Sequence, residues 1–193
     1  MSKTLHIYLF RHGQTTYNRD KIFTGFHNPS LTKKGIKQAN IIAKKLKSKK
    51  FNIAFHTKLK RSKQTLKIIL KYHPECNKII QDNRIIERNY GQLNGTSHED
   101  YIKKYGIKKF DKIHRDFYAR PPKGENFADV EKRVSSFIKY LTKFMKKERI
   151  NVAISAHGNS IRLFKKIMKK SSIKETCSWF IPYDKVFDYK IKV

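Results

Sequence analysis

The stretch "LFRHGQTTYN", residues 9–18, ends a short apolar run with an arginine, a histidine and a glycine. A second stretch, "ISAHGNSIR" at 154–162, repeats the His-Gly pair after another apolar run. In both, the polar residues come where a predicted strand gives way to a helix or loop. Ligands bind at the carboxyl ends of the strands in open parallel sheets, so both stretches are expected at one rim of a sheet.

Outside these stretches the chain alternates predicted strands with predicted helices. The predicted strands are 5–10, 52–57, an extended segment within 78–88, 151–156 and 185–193. The predicted helices are 32–50 with Thr32 as N-cap and Ile36, Ala39, Ala43 and Leu46 at helical spacing, 59–72, an amphipathic helix through Val130 and Met145, and 158–170. This alternation favours an α/β fold, a three-layer α/β/α sandwich around a mainly parallel sheet.

The length of 193 residues favours a single catalytic domain over 1–193. The segment 89–125 contains several glycines, and the loop-favouring sequence "RPPKGEN" begins at 120. It is expected to be loop-like or irregularly helical, forming a cap or insertion on the substrate side.

The charge balance is strongly basic, with 45 Lys and Arg against 15 Asp and Glu, a net charge of +30. Such a field attracts anions. Phosphorylated metabolites, nucleic acid and acidic lipid are all such anions. The lysines are spread along the whole chain without a basic tail, so most are expected on solvated helix faces and no specific nucleic acid is expected as a partner.

Two cysteines, Cys76 and Cys177, form neither a disulfide framework nor a metal-ligand spacing. No apolar run suits a signal peptide or a membrane span. A cytoplasmic protein without a membrane partner is expected, and a homo-oligomer is possible.

The residues at the predicted rim suit transfer of a phosphoryl group. A neutral imidazole such as that of His12 is a competent nucleophile toward phosphorus once cations neutralise the phosphoryl oxygens. Those cations would be Arg11, Arg61 and a protonated His157, since no Asp/Glu/His cluster in the sequence resembles a metal site. A carboxylic acid must protonate the leaving oxygen, and Glu87 in "IIERNYG" is the natural candidate.

Each of these residues also has an ordinary structural interpretation. A lone histidine after a strand can be a hydrogen-bonded rim residue, and Arg61 can be one more basic residue of a basic helix. Glu87 can form a surface ion pair with the adjacent Arg88. Their joint placement at strand ends favours the functional interpretation, but spacing alone leaves both open.

Five segments together resemble the histidine phosphatase superfamily and, within it, the cofactor-dependent phosphoglycerate mutases. These segments are "RHGQTTYN", "FTGFHNPSLTKKG", "KLKRSKQT", "ERNYGQLNG" and "AHGNSIR". They stand in the family's order and cover nearly the whole chain.

The resemblance implies that His12 becomes a phosphohistidine flanked by Arg11, and that Arg61 and His157 hold the transferred phosphoryl group. Glu87 is the implied proton donor and acceptor. It also implies 2,3-bisphosphoglycerate as primer and no metal. The implied substrate-binding positions are Asn18, Thr24, Gly25, Tyr90, His98, Arg115, Gly158 and Asn159.

The same segments favour a mutase over a phosphatase, because "AHGN", "ERNYGQLNG" and "FTG" resemble the mutase versions. Three departures point the other way. His98 and His114 stand where mutases carry basic residues, and histidine is a weaker, pH-dependent cation. The loop "PPKGEN" is short, and the sequence stops at Val193 without the tail that closes over the site in longer mutases. Phosphatase activity is therefore expected beside mutase activity.

Two alternatives to the mutase are left open. The first is a histidine-type phosphomonoesterase acting on small phosphorylated metabolites, with water replacing the acceptor hydroxyl. The second is a nucleic-acid-binding protein that uses the +30 charge on a retired catalytic scaffold.

Overall fold

Five strands form one sheet in the computed structural model, which describes residues 4–193. They are β1 (Thr4–Arg11), β2 (Ile53–His56), β3 (Lys78–Gln81), β4 (Val152–Ala156) and β5 (Val186–Lys192). Their order is β3-β2-β4-β1-β5, with β5 antiparallel to β1 and the other pairs parallel. The predicted mainly parallel sheet is confirmed.

Eight α-helices and two 3₁₀ turns connect these strands within the described residues. The helices are α1 (Thr16–Arg19), α2 (Lys33–Leu46), α3 (Lys60–Leu70), α4 (His98–Tyr105), α5 (Ile107–Arg115), α6 (Phe127–Glu148), α7 (Gly158–Lys169) and α8 (Ile173–Ser178). The 3₁₀ turns are Asn83–Ile85 and Gly91–Leu93. Thr32 caps α2 as predicted, its hydroxyl accepting from the Gly35 N–H at 3.0 Å. Over residues 4–193, no helix has the length and apolar character needed to cross a bilayer.

Side chains alternate between the two faces of the sheet and divide the core into two layers. Leu5, Ile7 and Leu9 of β1 pack into one cluster with α6 and α7. Tyr8 and Phe10, from the intervening positions, pack into a second cluster with α2 and α3. The three-layer α/β/α sandwich is therefore confirmed.

The buried face of α2 agrees with the prediction at Ala39, Ala43 and Leu46 and differs at Ile36. Ile36 is 45% exposed, and Gly35 is the buried residue of the first turn. A Cβ on Gly35 would lie 2.1 Å from the carbonyl oxygen of Gln14, so the helix approaches the turn after β1 too closely for any side chain. This contact sets the rotation of α2 about its own axis and leaves Ile36 exposed.

Residues 89–125 contain α4 and α5 and share a small separate core with Phe23. Tyr90 and Tyr101 are buried in this core. The guanidinium of Arg88, which is 0% exposed, donates to the carbonyl oxygens of Ile113, Ala119 and Glu125 at 2.7–3.0 Å. The alternative interpretation of Glu87 and Arg88 as a surface ion pair is therefore excluded, because Arg88 ties this segment to the body of the protein.

Candidate active site

A cavity of about 310 Å³ opens at the carboxyl ends of β1, β2 and β4. Among its lining residues are twelve predicted site residues: Arg11, His12, Asn18, Thr24, Gly25, Arg61, Glu87, Tyr90, His98, Arg115, Gly158 and Asn159. The remaining one, His157, is fully buried beside the cavity, with its ring centroid 5.0 Å from that of His12. The fold thus brings all the predicted positions together, and their chemical roles stay predictions.

The hydrogen bonds of His12 determine which ring nitrogen is the nucleophile. Its Nδ1 lies 2.7 Å from the carbonyl oxygen of Gly13, which can only accept, so Nδ1 carries the proton. Its Nε2 accepts from Nε of Arg61 at 3.2 Å. Burial, together with the charges of Arg61 and Arg11, lowers the pKa of His12 well below its usual range. The ring is therefore neutral near pH 7, with a lone pair on Nε2.

Arg61 is held beside this nitrogen by the chain that follows Phe23. Its Nη1 donates to the His27 carbonyl oxygen at 2.8 Å, and its Nη2 to that of Gly25 at 2.9 Å. Gly25 adopts φ +43°, a left-handed conformation that favours glycine. Burial lowers the pKa of Arg61 to about 10, so the guanidinium remains charged at neutral pH. The alternative interpretation of Arg61 as one more basic residue of a basic helix is therefore excluded, since Arg61 is 1% exposed.

His157 is neutral in this site, which corrects the prediction of a protonated imidazole. Burial and the charge of Arg61 lower its pKa well below the usual range. The Thr57 hydroxyl accepts from the Leu59 N–H at 3.3 Å and lies 2.8 Å from Nε2 of His157. When Thr57 donates to Nε2, the proton of His157 lies on Nδ1, a buried atom with no partner among residues 4–193. An arriving phosphoryl oxygen can accept from that Nδ1–H.

Thr57 is thus expected to position His157 rather than to touch the substrate. Thr57→Val keeps the shape and removes the hydroxyl, so kcat should fall about tenfold, the value of one buried hydrogen bond, with little change in KM. Thr57→Ser should retain the wild-type kcat, because the hydroxyl remains. Steady-state kinetics of the two variants test this, and an equal loss in both would contradict a role for the hydroxyl.

Glu87 is fixed so that one oxygen is available for proton transfer. Its Oε1 accepts from the backbone N–H of Arg88 at 2.8 Å and of Asn159 at 3.1 Å. Oε2 is the oxygen left to exchange a proton with a bound ligand. Arg133 donates to the Glu87 carbonyl oxygen and pairs with Glu125, which holds the loop that carries Glu87.

His12, Glu87 and His157 also bring three possible metal-ligand atoms within 4.8 Å of one another. The sequence spacing did not predict this cluster, and the prediction that no such grouping exists needs this correction. Arg61 donates directly to Nε2 of His12, the nitrogen a cation would need. The buried guanidinium therefore competes with a metal ion for this position.

The far end of the cavity combines neutral histidines with arginines. Burial lowers the pKa of His98, and it lowers that of His114 to about 3. Both rings belong to an aromatic group with Phe23 and Phe110. Both rings are uncharged at neutral pH, in line with the expectation that histidine is a weaker, pH-dependent cation at these positions. Positive charge at this end comes from three other lining residues, Lys21, Arg115 and Arg162.

These histidines are expected to destabilise the fold in acid. The unfolded His114 has an ordinary pKa. Below pH 6.5 the unfolded chain therefore binds more protons than the folded chain, and the free energy of unfolding decreases as the pH decreases. Each such group contributes up to about 1.4 kcal/mol per pH unit. The charges of His98, Arg115, Arg162 and Arg88 act on His114 in the same direction as burial.

The variant His114→Phe keeps an aromatic ring against Phe110 and removes the titration. Urea unfolding at pH 7.5 and 5.5 should show a smaller loss of stability for the variant than for the wild type. Identical losses would mean that His114 is already protonated in the folded protein at pH 5.5.

Sequence reasoning missed several residues of the site. They are Tyr17, Lys21, Ile22, Phe23, Arg162, Phe180, Ile181 and Tyr183, which line the cavity, and Thr57, which contacts His157. Arg162 stands in the quoted stretch 154–162 and lies one helical turn after Asn159, which could have indicated it. Tyr183 has no local pattern that points to the site.

Unpaired donors in this region suit an anion. Nε of Arg11, Nε of Arg162 and Nδ1 of His157 are buried and have no hydrogen-bond partner within residues 4–193. Buried donors are normally paired, so three together in and beside one cavity indicate a missing acceptor. Phosphate and carboxylate groups supply such acceptors.

The family model of the histidine phosphatase superfamily (branch 1) matches residues 7–183, and the chain belongs to this superfamily. A relative from Schizosaccharomyces pombe named phosphoglycerate mutase is 38% identical over 159 residues, which is 80% of this chain and 74% of the relative. A relative from Methylorubrum populi named 2,3-bisphosphoglycerate-dependent phosphoglycerate mutase is 32% identical over 189 residues, 95% of this chain and 88% of the relative.

Solved structures with the same fold carry names of both activities. Phosphoglycerate mutase from Bacillus anthracis superposes with a TM-score of 0.78 at 22% identity, covering 98% of this chain and 89% of that one. Mycobacterial glucosyl-3-phosphoglycerate phosphatase superposes with a TM-score of 0.77 at 21% identity, covering 92% of this chain and 84% of that one. At these identities the likeness concerns the fold alone.

Proposed function

We propose that this protein is a phosphoglycerate mutase that interconverts 3-phosphoglycerate and 2-phosphoglycerate through a phosphohistidine. The observation that carries the proposal is the neutral Nε2 of His12, held between Arg61 and the buried His157. The relatives named phosphoglycerate mutase, similar over 80–95% of the chain, support the choice of substrate.

In the proposed reaction Nε2 of His12 carries the phosphoryl group and transfers it to the free hydroxyl of a monophosphoglycerate. Glu87 takes the proton of that hydroxyl as the oxygen–phosphorus bond forms and the phosphorus–nitrogen bond breaks. In the second step His12 accepts the other phosphoryl group, and Glu87 returns the proton to the leaving oxygen. Arg11, Arg61 and the Nδ1–H of His157 stabilise the charge on the phosphoryl oxygens.

The cavity residues fit the primer 2,3-bisphosphoglycerate, because unpaired donors occur on Arg11 and Arg162. The primer would supply the phosphoryl group that first loads His12. Arg115 and Arg162 would hold its remaining anionic groups, and Asn18 would donate from its Nδ2 group, since its oxygen already accepts from Thr15.

A paired assay with 3-phosphoglycerate tests this function. One measurement follows 2-phosphoglycerate through enolase, with and without catalytic 2,3-bisphosphoglycerate, and the other follows inorganic phosphate. Primer-dependent isomerisation that far exceeds phosphate release is expected. Phosphate release without isomerisation would overturn the mutase proposal.

A phosphomonoesterase acting on small phosphorylated metabolites is the second candidate. The observation that favours it is the packing of His98 and His114 against Phe23 and Phe110, where burial lowers the pKa of both rings and disfavours cations for a second anionic group. Phosphate release from 3-phosphoglycerate and from other small monoesters, measured side by side, distinguishes a mutase with leakage from a true phosphatase.

Activity without a metal ion is a further expectation, because Arg61 already occupies the coordinating direction of His12 Nε2. Dialysis against EDTA should leave the turnover rate within the error of the untreated enzyme. Added Mn²⁺ should then have no stimulating effect. Loss of activity with EDTA and its return with Mn²⁺ would assign the three-residue cluster to a metal instead.

A further inference from the structure

Three arginines that line the cavity donate to the backbone of one segment, residues 177–183. Nη1 of Arg11 donates to the Ile181 carbonyl oxygen at 2.7 Å, and Nη2 of Arg162 to that of Trp179 at 2.7 Å. Nη1 of Arg115 donates to the Cys177 carbonyl oxygen at 3.2 Å. The segment therefore fixes the cations at both ends of the cavity before any ligand arrives.

Tyr183, at the end of this segment, lies at the end of the cavity that contains Arg11 and His12. Its ring centroid is 3.9 Å from the guanidinium carbon of Arg11, a close cation–π contact, and 6.4 Å from the ring centroid of His12. The side chain is half-buried and lines the cavity. One aromatic ring thus adjoins the proposed nucleophile and the neighbouring Arg11.

We propose that Tyr183 is a specificity-determining residue that shields the phosphoryl group on His12 from water and so favours transfer to an alcohol. The inference rests on the proposed phosphohistidine chemistry and deepens it. Its basis is the position of the ring, whose face lies against Arg11 and whose centroid is 6.4 Å from that of His12, in the lining of the cavity. The flanking carbonyl of Ile181, which accepts from the same arginine, limits the freedom of the ring.

The competing reaction is hydrolysis of the phosphohistidine. Water attacks phosphorus, the bond from phosphorus to Nε2 of His12 breaks, and inorganic phosphate leaves with neutral His12 restored. A ring that occupies the approach to phosphorus slows water more than it slows a substrate hydroxyl already bound at the far end of the cavity. The lifetime of the phosphoenzyme without acceptor therefore reports the effect of Tyr183 directly.

The test uses the full chain phosphorylated with radiolabelled phosphoramidate, followed by the decay of acid-labile label in buffer without acceptor. Tyr183→Ala is expected to shorten the lifetime about tenfold by admitting water, whereas Tyr183→Phe should keep it within about twofold. Tyr72→Ala is the matched control, because Tyr72 also has a cation over its ring, Lys47 at 6.0 Å, but lies outside the cavity.

The outcomes separate this inference from the proposed function. Equal lifetimes for wild type and Tyr183→Ala would overturn the shielding role even if the wild type isomerises phosphoglycerate. A shorter lifetime of Tyr183→Ala in a protein that does not isomerise phosphoglycerate would support shielding and reject the mutase. Failure of the wild type to take label would reject the phosphohistidine and the shielding role together.

Discussion

Replacement of His12 by alanine is expected to abolish turnover, with a loss of at least about 10⁴-fold in kcat, because the variant has no atom to carry the phosphoryl group. The ring is also replaced by a cavity beside Arg61 and His157, but the surrounding hydrogen bonds of Arg61 to Gly25 and His27 persist. The fold should therefore survive, as checked by circular dichroism and thermal unfolding.

The measurement is radiolabel retained on the protein together with the initial rate. His6→Ala is the matched control, since His6 lies on β1, the strand that His12 follows, pairs with Asp188 and lies outside the cavity. Wild-type rates in His12→Ala would end the assignment of the nucleophile. Label retained on an inactive His12→Ala would show that another side chain carries the phosphoryl group.

Replacement of Glu87 by glutamine is expected to lower kcat with phosphoglycerate by about 10²–10⁴-fold, the usual contribution of a general acid–base. The amide oxygen of glutamine can still accept from the N–H groups of Arg88 and Asn159, so the local geometry is kept. Only the exchange of a proton is lost.

An activated phosphoryl donor has a leaving group that needs no protonation, so Glu87→Gln should still form phosphoenzyme from it. Glu131→Gln is a suitable control, because Glu131 pairs with Lys166 outside the cavity. If both substitutions leave turnover of phosphoglycerate unchanged, the proton passes through another group.

The strands and long helices were predictable because each has its own local pattern. Apolar runs mark β1 and β4, and the apolar spacing of α6 points to its buried face. The helix α8 was not predicted, since its six residues carry no apolar stripe of their own. Ile36 was misplaced because the approach of Gly35 to Gln14 depends on the tertiary fold.

Site membership was predictable from the strand ends, but the charge states were not. A histidine loses its proton here through burial and through arginines that are distant in sequence, as His157 does beside Arg61. Tyr183 reaches the site from a chain segment 172 positions after Arg11, and only the folded chain brings the two together. Such contacts have no counterpart in local spacing.

The distance between the two histidines is set by the sheet itself. His12 and His157 directly follow β1 and β4, neighbouring strands whose last paired residues are Arg11 and Ala156. Their ring separation of 5.0 Å is close to the spacing of about 4.8 Å that backbone hydrogen bonding imposes on adjacent strands. Changes in the surrounding loops leave this spacing intact. Substitutions in the far wall of the cavity can therefore adapt it to new phosphoesters while the separation of His12 and His157 stays the same.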